Sequence, residues 1–298
     1  MKVLIVGNKG RLGAALERFF STQNVELLCW NRSVVDLENK NAVAEAIEKI
    51  QLTSEDIILY AAGMTSLEGC KDKPRSAIVV NAETPELLAR KATEQGARFI
   101  YYSTDYVFDG KSEMPRVEID AANPESTYGQ SKLAGERLVL AADTNHLALR
   151  VSWLFGPDQD GKQFVNQFLQ RAQAGQPLEA IEDKFSVPSF TPDLAAATAA
   201  AIEKKLPGGL YHLCNADPEH PTVSWFDYAG QILSSAVKAG ILSKKPSLKP
   251  IRLTDLKQMR IPRPPHTAMN PAKFIEATDV PLRSWKAAMD DYMKTISK

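Results

Sequence analysis

The sequence predicts an α/β fold in which a doubly wound parallel sheet is followed by a smaller C-terminal α/β subdomain. In the first half of the chain, short apolar runs alternate with amphipathic segments of helical period, which is the pattern of βαβ units. We count at least six such runs and no internal repeat. Beyond about residue 157 the pattern becomes irregular. We therefore expect one domain over residues 1–156 and a smaller, partly interleaved region over residues 157–298.

Three helices and one helix cap are specific predictions of this pattern. Apolar periodicity indicates a long helix from Arg75 to Gln95, a helix from Lys162 to Gln173 and a closing helix from Leu282 to Lys294. Thr222 precedes a further amphipathic segment and is the expected N-cap of that helix.

Composition excludes several classes of function. The 36 basic residues equal the 36 acidic ones, so no net field attracts nucleic acid or an anionic membrane. The chain has no apolar run long enough to cross a bilayer, and Met1–Lys2 leads directly into a strand. The few cysteines are widely spaced, and the histidines share no ligand spacing. We therefore expect a cytoplasmic protein with reduced thiols and without a bound metal.

A glycine-rich loop follows the first predicted strand, Lys2–Val6, and precedes an amphipathic helix. In this context Gly7 permits a tight turn, Gly10 lets backbone N–H groups approach a pyrophosphate, and Gly13 lets the helix pack close to the strand. The loop predicts a Rossmann-like dinucleotide-binding domain. The loop residues expected to bind the cofactor are Gly7, Lys9, Gly10, Arg11, Leu12 and Gly13.

The end of the second predicted strand, Val25–Trp30, favours a particular cofactor. A site for NAD normally has a carboxylate near this point, which binds the ribose 2′-hydroxyl. Here the strand is followed by Asn31 and Arg32. Because a guanidinium suits a 2′-phosphate, we expect NADPH as the cofactor, with NADH as the alternative.

Three polar side chains are expected to meet at the carboxyl end of the strand that contains Phe99–Tyr102. Thr104 follows this strand, and Tyr128 and Lys132 lie four residues apart on a predicted helix, so they share one face. A phenol has a pKa of about 10, and a nearby lysine charge is expected to lower it. The hydroxyl of Thr104 or Ser103 can then hold a carbonyl oxygen while Tyr128 transfers a proton.

Two segments carry a resemblance to a known family: Ser-Thr-Asp-Tyr-Val-Phe-Asp-Gly at 103–110 and Tyr-Gly-Gln-Ser-Lys-Leu-Ala-Gly-Glu at 128–136. They resemble the dTDP-4-dehydrorhamnose reductases and their sugar-nucleotide-binding relatives, within the extended short-chain dehydrogenase/reductase superfamily. The resemblance extends over nearly the whole chain. It implies reduction of a 4-keto nucleotide-sugar, in which Tyr128 protonates the oxygen, Thr104 polarises the carbonyl, and Lys132 tunes Tyr128 and binds the nicotinamide ribose.

The resemblance also implies further cofactor contacts and a set of substrate contacts. Asp36 and Leu37 would flank the adenine, the segment Ala61, Ala62 and Gly63 would lie against the cofactor, and Asn81 would steady the active-site strand. Arg263 is surrounded by prolines that fix its base, so its guanidinium could grip a diphosphate. The expected substrate-binding residues are Thr65, Ser103, Asp105, Tyr106, Val107, Trp153 and Arg263.

The sequence departs from the usual pattern of the family in two segments. Leu67-Glu68 replaces the usual Val-Asp, and Lys184, Ser186 and Ser189 stand where the family usually has Gln, Gly and Thr. These differences leave the identity of the nucleotide-sugar open.

Two other functions remain open on the same scaffold. A nucleotide-sugar epimerase would keep the same residues, and a non-catalytic NADP-binding regulatory subunit would keep the nucleotide fold. Dehydratases of the superfamily place Asp-Glu after the threonine, whereas here Tyr106 follows Asp105, which argues against dehydration. The sequence is compatible with a homodimer.

Overall fold

A computed structural model describes residues 1–157, 161, 163–256 and 260–297, and its centre is a six-stranded sheet. The strands are β1 (Lys2–Val6), β2 (Glu26–Trp30), β3 (Ile57–Tyr60), β4 (Arg98–Thr104), β5 (Leu147–Val151), β6 (Leu154–Phe155), β7 (Glu179–Ile181), β8 (Phe185–Ser186), β9 (Ser189–Phe190), β10 (Gly209–His212), β11 (Val223–Ser224) and β12 (Lys249–Ile251). The sheet has the order β10-β5-β4-β3-β1-β2, and its strands are parallel. The predicted doubly wound parallel sheet is therefore confirmed.

Helices cover both faces of this sheet. They are α1 (Arg11–Phe20), α2 (Lys40–Glu48), α3 (Leu67–Asp72), α4 (Pro74–Ile78), α5 (Thr84–Glu94), α6 (Thr127–Ala142), α7 (Phe164–Gln173), α8 (Thr191–Glu203), α9 (Trp225–Lys238), α10 (Ala272–Thr278) and α11 (Trp285–Ile296). Successive strand residues point to opposite faces: Ile5 packs in the cluster with α1 and α8, and Leu4 in the cluster with α5. Because both faces of the inner strands are buried, β1 and β3 are apolar without alternation, as in parallel sheets generally, whereas the edge strand β2 is partly exposed.

A second apolar core lies among α7, α9 and α11, with Trp285, Met289 and Tyr292 contributed by the closing helix. The predicted packing role of that helix is confirmed, although it runs from Trp285 to Ile296. The chain after residue 157 does not belong entirely to this second core, because α8 packs on the main sheet and β10 pairs with β5.

The long helix predicted over Arg75–Gln95 is broken in the structure. Between α4 and α5 lies a π-helical turn, Val79–Glu83, in which the Thr84 N–H bonds to the Val79 carbonyl. Pro85 has no N–H, so it cannot bond to the Asn81 carbonyl four residues earlier. The carbonyls of Val80 and Asn81 are thereby left to accept hydrogen bonds from two buried phenols of the sheet, Tyr60 at 2.6 Å and Tyr101 at 2.5 Å.

The starts of two helices, α9 and α7, differ from the sequence prediction. Ser224, not Thr222, caps α9: its hydroxyl accepts a hydrogen bond from the Asp227 N–H at 2.9 Å. Thr222 instead precedes the short strand β11, which pairs with β8. The helix predicted from Lys162 begins at Phe164, and Lys162 itself lies outside the described residues.

No helix among the described residues combines the length and the apolar character that a bilayer crossing requires.

Candidate active site

A cleft of about 430 Å³ lies above the carboxyl ends of the central strands, the place where open α/β sheets bind ligands. Most of the residues predicted to bind the cofactor line this cleft. They are Gly7, Lys9, Gly10, Arg11, Leu12, Asn31, Arg32, Asp36, Leu37, Ala61, Ala62, Gly63, Tyr128 and Lys132. Gly13 lies beneath the loop rather than in the cleft wall. Lining residues that the sequence did not single out are Trp30, Val35, Glu38, Val80, Tyr102, Val151 and Leu154.

The glycine loop is shaped so that backbone faces this cleft. Gly7 has a φ of +93°, and a Cβ there would lie 2.6 Å from the backbone of Ala62. A Cβ at Gly13 would lie 2.1 Å from the Gly7 carbonyl oxygen, so only glycine lets α1 approach the loop. Gly10 precedes α1 and provides no side-chain cap. The N-terminal N–H groups of α1 are therefore left for an anion, and the loop fits a dinucleotide pyrophosphate.

Arg32 also lines the cleft. Its side chain is 85% exposed, and its guanidinium is 3.5 Å from the Glu38 carboxylate. Glu38 was not singled out from the sequence, although it follows Asp36-Leu37 directly. A carboxylate at this position opposes the binding of a second anion beside Arg32.

Thr104, Tyr128 and Lys132 converge from two elements. Thr104 is the last residue of β4, while Tyr128 and Lys132 lie in the first two turns of α6. The Ser126 hydroxyl caps α6 by accepting a hydrogen bond from the Gly129 N–H at 3.1 Å. The Thr104 hydroxyl lies beside Tyr128 and acts to lower its pKa, and both Tyr128 and Lys132 line the cleft.

The electrostatics of this trio differ from the sequence prediction. Burial raises the pKa of Tyr128, and its hydrogen bond with Thr104 acts in the opposite direction. Burial also lowers the pKa of Lys132 to about 7, while Glu136 acts in the opposite direction. The expectation that Lys132 lowers the pKa of Tyr128 is therefore wrong for this structure, because both groups lie in a desolvated site that favours their neutral forms.

Neighbouring side chains hold α6 in place beside the cleft. The Asn81 amide exchanges two hydrogen bonds of 2.9 Å with the backbone of Met64 and donates a third to the Ser131 hydroxyl. The Lys132 ammonium lies 4.1 Å from the centre of the Tyr101 ring. Asn81 thus ties the loop after β3 to the helix that carries Tyr128.

Ser103 and Thr104 are not equivalent. The Ser103 hydroxyl donates to the Glu136 carboxylate at 2.5 Å, and Arg150 donates to the same carboxylate at 2.8 and 2.9 Å. Because the Ser103 hydroxyl is hydrogen-bonded to this buried ion pair, Thr104 is the one of the two that contacts Tyr128.

The residues expected to bind substrate occupy several places. Thr65 and Ser103 line the cleft, and the Tyr106 ring lies 5.9 Å from that of Tyr128. Val107 is completely buried beside Phe108 and Leu133, so its side chain does not reach the cleft.

The remaining three candidates are not among the residues that line the cleft. Trp153 packs against Trp225 beside a smaller pocket of about 160 Å³. The Arg263 guanidinium lies 3.8 Å from the Glu68 carboxylate, the acid that departs from the family pattern. Asp105 is buried beneath Thr104, where it accepts hydroxyl hydrogen bonds.

The lowered pKa of Lys132 predicts that this residue reduces the free energy of unfolding at neutral pH. The folded chain releases this proton near pH 7 and the unfolded chain near its ordinary value of 10.5, so between these values the unfolded chain binds more protons. The contribution of Lys132 to the free energy of unfolding therefore rises with pH across this window. We expect Lys132→Met to be more stable than the wild type at neutral pH by up to a few kcal/mol, and this advantage to shrink toward about pH 10.

Urea unfolding across this pH range measures the difference between the two proteins. Lys244→Met, at an exposed lysine, is the control and should show no such pH-dependent gap. A constant or absent gap for Lys132→Met would contradict the cost that burial assigns to this ammonium.

Comparisons with known proteins agree with the fold. The family described as "RmlD substrate binding domain" matches residues 1–298. The dTDP-4-dehydrorhamnose reductase of Escherichia coli (strain K12) is 33% identical over 297 residues, which covers 97% of this chain and 96% of that protein.

Solved structures add two relatives. A dTDP-4-dehydrorhamnose reductase from Clostridium acetobutylicum ATCC 824 is 28% identical, with a TM-score of 0.88 and coverage of 100% of both chains. The Bacillus anthracis str. Ames dTDP-4-dehydrorhamnose reductase in complex with NADP has a TM-score of 0.87 over 100% of this chain and 99% of that one. At 24% identity, this second likeness shows the fold alone.

The match over residues 1–298 shows that this chain belongs to the family described as "RmlD substrate binding domain".

Proposed function

We propose that this protein is an NADPH-dependent reductase of a 4-keto nucleotide-sugar, with dTDP-4-dehydrorhamnose as its substrate and dTDP-rhamnose as its product. The observation that carries the proposal is the position of Tyr128 and Lys132, which face the same cleft as the glycine loop. A reductase needs its proton donor beside the nicotinamide end of the cofactor. In this protein the proposed donor and the glycine loop line the same cleft. The names of the full-length relatives supply the substrate.

The cleft residues divide into two groups by what they would hold. The N-terminus of α1 and the loop around Gly10 would bind the pyrophosphate, while Arg32 would bind the 2′-phosphate. Lys132, whose ammonium lies over the Tyr101 ring, would bind the nicotinamide ribose. Bound NADPH supplies the hydride that goes to C4 of the sugar.

Tyr128 is the proposed acid of the reaction. A phenol is protonated at neutral pH, which is the form that delivers a proton to the carbonyl oxygen as the hydride arrives. The burial that raises the pKa of Tyr128 makes it a weaker acid in the ligand-free cleft. In the structure the Thr104 hydroxyl donates to Asp105 at 3.2 Å. This hydroxyl can rotate, so Thr104 would turn its proton to the carbonyl oxygen of a bound substrate and polarise it.

The remaining substrate contacts are also proposals. Thr65 and Tyr106 border the site around Tyr128, while Arg263 would bind the diphosphate from its proline-fixed loop. A cytoplasmic location and a homodimer remain predictions from the sequence.

The direct test is NADPH oxidation in the presence of a small panel of 4-keto nucleotide-sugars that differ in base and sugar. We expect turnover with dTDP-4-dehydrorhamnose and the formation of dTDP-rhamnose. Conversion to a sugar isomer without net NADPH consumption would indicate an epimerase instead. Binding of NADPH without any turnover would indicate a regulatory subunit.

Removing the phenol of Tyr128 should stop proton delivery without disturbing the fold. We expect Tyr128→Phe to bind NADPH normally and to lose about 10²–10⁴ in kcat, the usual contribution of a positioned acid. Tyr211→Phe is the control, because its phenol donates to the Pro207 carbonyl and does not line the cleft, and its kcat should stay within about tenfold of the wild type. Turnover of Tyr128→Phe at the wild-type rate would remove Tyr128 from the mechanism.

Cofactor preference should depend on the opposed charges of Arg32 and Glu38. A charge-assisted contact contributes about 1.5–3 kcal/mol, so Arg32→Ala should weaken NADPH binding by about 10- to 150-fold and leave NADH binding unchanged. Glu38→Gln should tighten NADPH binding by less than about tenfold, because the pair is exposed and screened. The Kd values of both cofactors measure these effects. An equal change in the two Kd values would show that Arg32 does not bind the 2′-phosphate.

A further inference from the structure

Two ion pairs join the short helix α3 to the loop that carries Arg263. The Arg263 guanidinium lies 3.8 Å from the Glu68 carboxylate, and the Arg260 guanidinium lies 3.0 Å from the Asp72 carboxylate. Glu68 and Asp72 are four residues apart in α3, so they share one face of the helix. This helix follows Thr65, which lines the cleft. The pairs therefore connect the cleft wall with the loop proposed to bind the diphosphate.

The two ion pairs differ in geometry. Arg260 donates two hydrogen bonds to Asp72, at 3.0 and 3.4 Å. The closest approach of Arg263 to Glu68 is 3.8 Å, which is longer than a hydrogen bond. The pair of Arg260 with Asp72 thus already ties the loop to α3, and Glu68 lies beside Arg263 in a looser contact.

The position of Arg263 is set by contacts that do not involve Glu68. Prolines stand on both sides of this arginine and restrict its backbone, and its guanidinium donates to the Ile261 carbonyl at 3.3 Å. The next residue is also fixed, because the Pro264 carbonyl accepts a hydrogen bond of 2.7 Å from the buried Lys184 ammonium. Glu68 is therefore not needed to hold Arg263 in place.

Both charges of the looser pair lie near the proposed reaction site. Burial raises the pKa of Tyr106, Arg263 acts to lower it, and Glu68 acts to raise it further. The Tyr106 ring in turn lies 5.9 Å from that of Tyr128. A 4-keto sugar held at Tyr128 carries its diphosphate on C1, across the ring from C4. The charges near Tyr106 are within reach of that group.

A diphosphate is a stronger ligand for Arg263 than the Glu68 carboxylate is. A sugar diphosphate carries more negative charge than a carboxylate, and its oxygens match the planar fork of a guanidinium. The side chains of Arg263 and Glu68 are 21% and 38% exposed, and ion pairs that water reaches contribute little to stability. Once displaced, Glu68 can turn to the exposed Lys71, three residues later in α3.

We propose that Glu68 is an internal competitor for Arg263: it pairs with the guanidinium in the ligand-free protein, and the diphosphate of the nucleotide-sugar displaces it. The substrate class in this inference rests on the proposed function. Substrate and product carry the same diphosphate, so a contact with that group is equally strong before and after the reaction. The return of Glu68 to Arg263 weakens the binding of the product and speeds its release.

The first test is calorimetric binding of thymidine 5′-diphosphate, with uridine 5′-diphosphate as a second probe, to the protein saturated with NADPH. Arg263→Gln should raise the Kd by about 10- to 150-fold, because a charge-assisted contact is lost. Glu68→Gln should lower the Kd by up to about fivefold, through slower dissociation. Weaker binding in Glu68→Gln would show that Glu68 holds Arg263 ready for the ligand, and would overturn the proposal.

A double variant separates competition for Arg263 from simple repulsion between Glu68 and the ligand. If Glu68 acts by occupying the guanidinium, Glu68→Gln should tighten binding less in the Arg263→Gln background than in the wild type. Equal tightening in the two backgrounds would mean that Glu68 repels the diphosphate without competing for Arg263, and would also overturn the proposal.

Asp72→Asn is the matched control, because Asp72 lies on the same face of α3 and pairs with Arg260 instead. It removes the same charge and should leave the Kd of the nucleoside diphosphate unchanged. Glu68→Asp keeps the charge and should stay closer to the wild type than Glu68→Gln does. The Kd of NADPH, measured separately, should be the same in every variant. Tightening by Asp72→Asn as large as that by Glu68→Gln would reduce the effect to net charge and contradict the role of Arg263.

The second test uses turnover. In Glu68→Gln we expect the KM for the nucleotide-sugar to fall and inhibition by the nucleoside diphosphate to become stronger by the same factor, since both ligands share the contact with Arg263.

The two proposals can fail separately. If Glu68→Gln tightens nucleoside diphosphate binding through Arg263 but no 4-keto nucleotide-sugar is reduced, the proposed reductase function fails and the competition stands. If the wild type reduces its substrate while Glu68→Gln changes neither the Kd nor the KM, only the competition fails. A wild type that binds neither nucleoside diphosphate would overturn the competition as well.

Discussion

The buried side chain of Tyr101 is the contact on which the geometry of the active site depends. Its phenol donates to the Asn81 carbonyl at 2.5 Å, and its ring supports the Lys132 ammonium at 4.1 Å. The carbonyl is available only because the π-helical turn and Pro85 leave it without a helical donor. One residue of the central sheet thus positions both the Asn81 turn and the helix that carries Tyr128.

The site contains more buried charge than its apolar surroundings would favour. Lys132 and Lys184 both have lowered pKa values because burial disfavours their charged forms. Only Lys184 has a nearby carboxylate that is surrounded by hydroxyl donors, and the carboxylate nearest Lys132, that of Glu136, is paired with Arg150. Such a site is less stable than an apolar core of the same size.

Much of the fold was predictable from local patterns. Continuous apolar runs indicated strands buried on both faces, and the glycine spacing indicated a loop that α1 approaches closely, which the structure shows at Gly13. The four-residue separation of Tyr128 and Lys132 placed them on one helix face, and both line the cleft. The helix break at Val79–Glu83 was missed because its partners, the phenols of Tyr60 and Tyr101, come from separate strands of the sheet.

The sequence by itself determined which residues are strand ends, loop glycines and helix-face neighbours, since these follow from short-range periodicity and backbone sterics. Only the tertiary structure decided which partner each hydroxyl has and in which direction burial shifts the pKa of each titratable group. Ser103 and Thr104 are adjacent in sequence, yet one bonds to Glu136 and the other to Asp105. The partners of Asp105 lie 81 and 162 positions away along the chain. Burial and charge depend on such distant neighbours, because desolvation acts through everything that surrounds a group in space rather than in sequence.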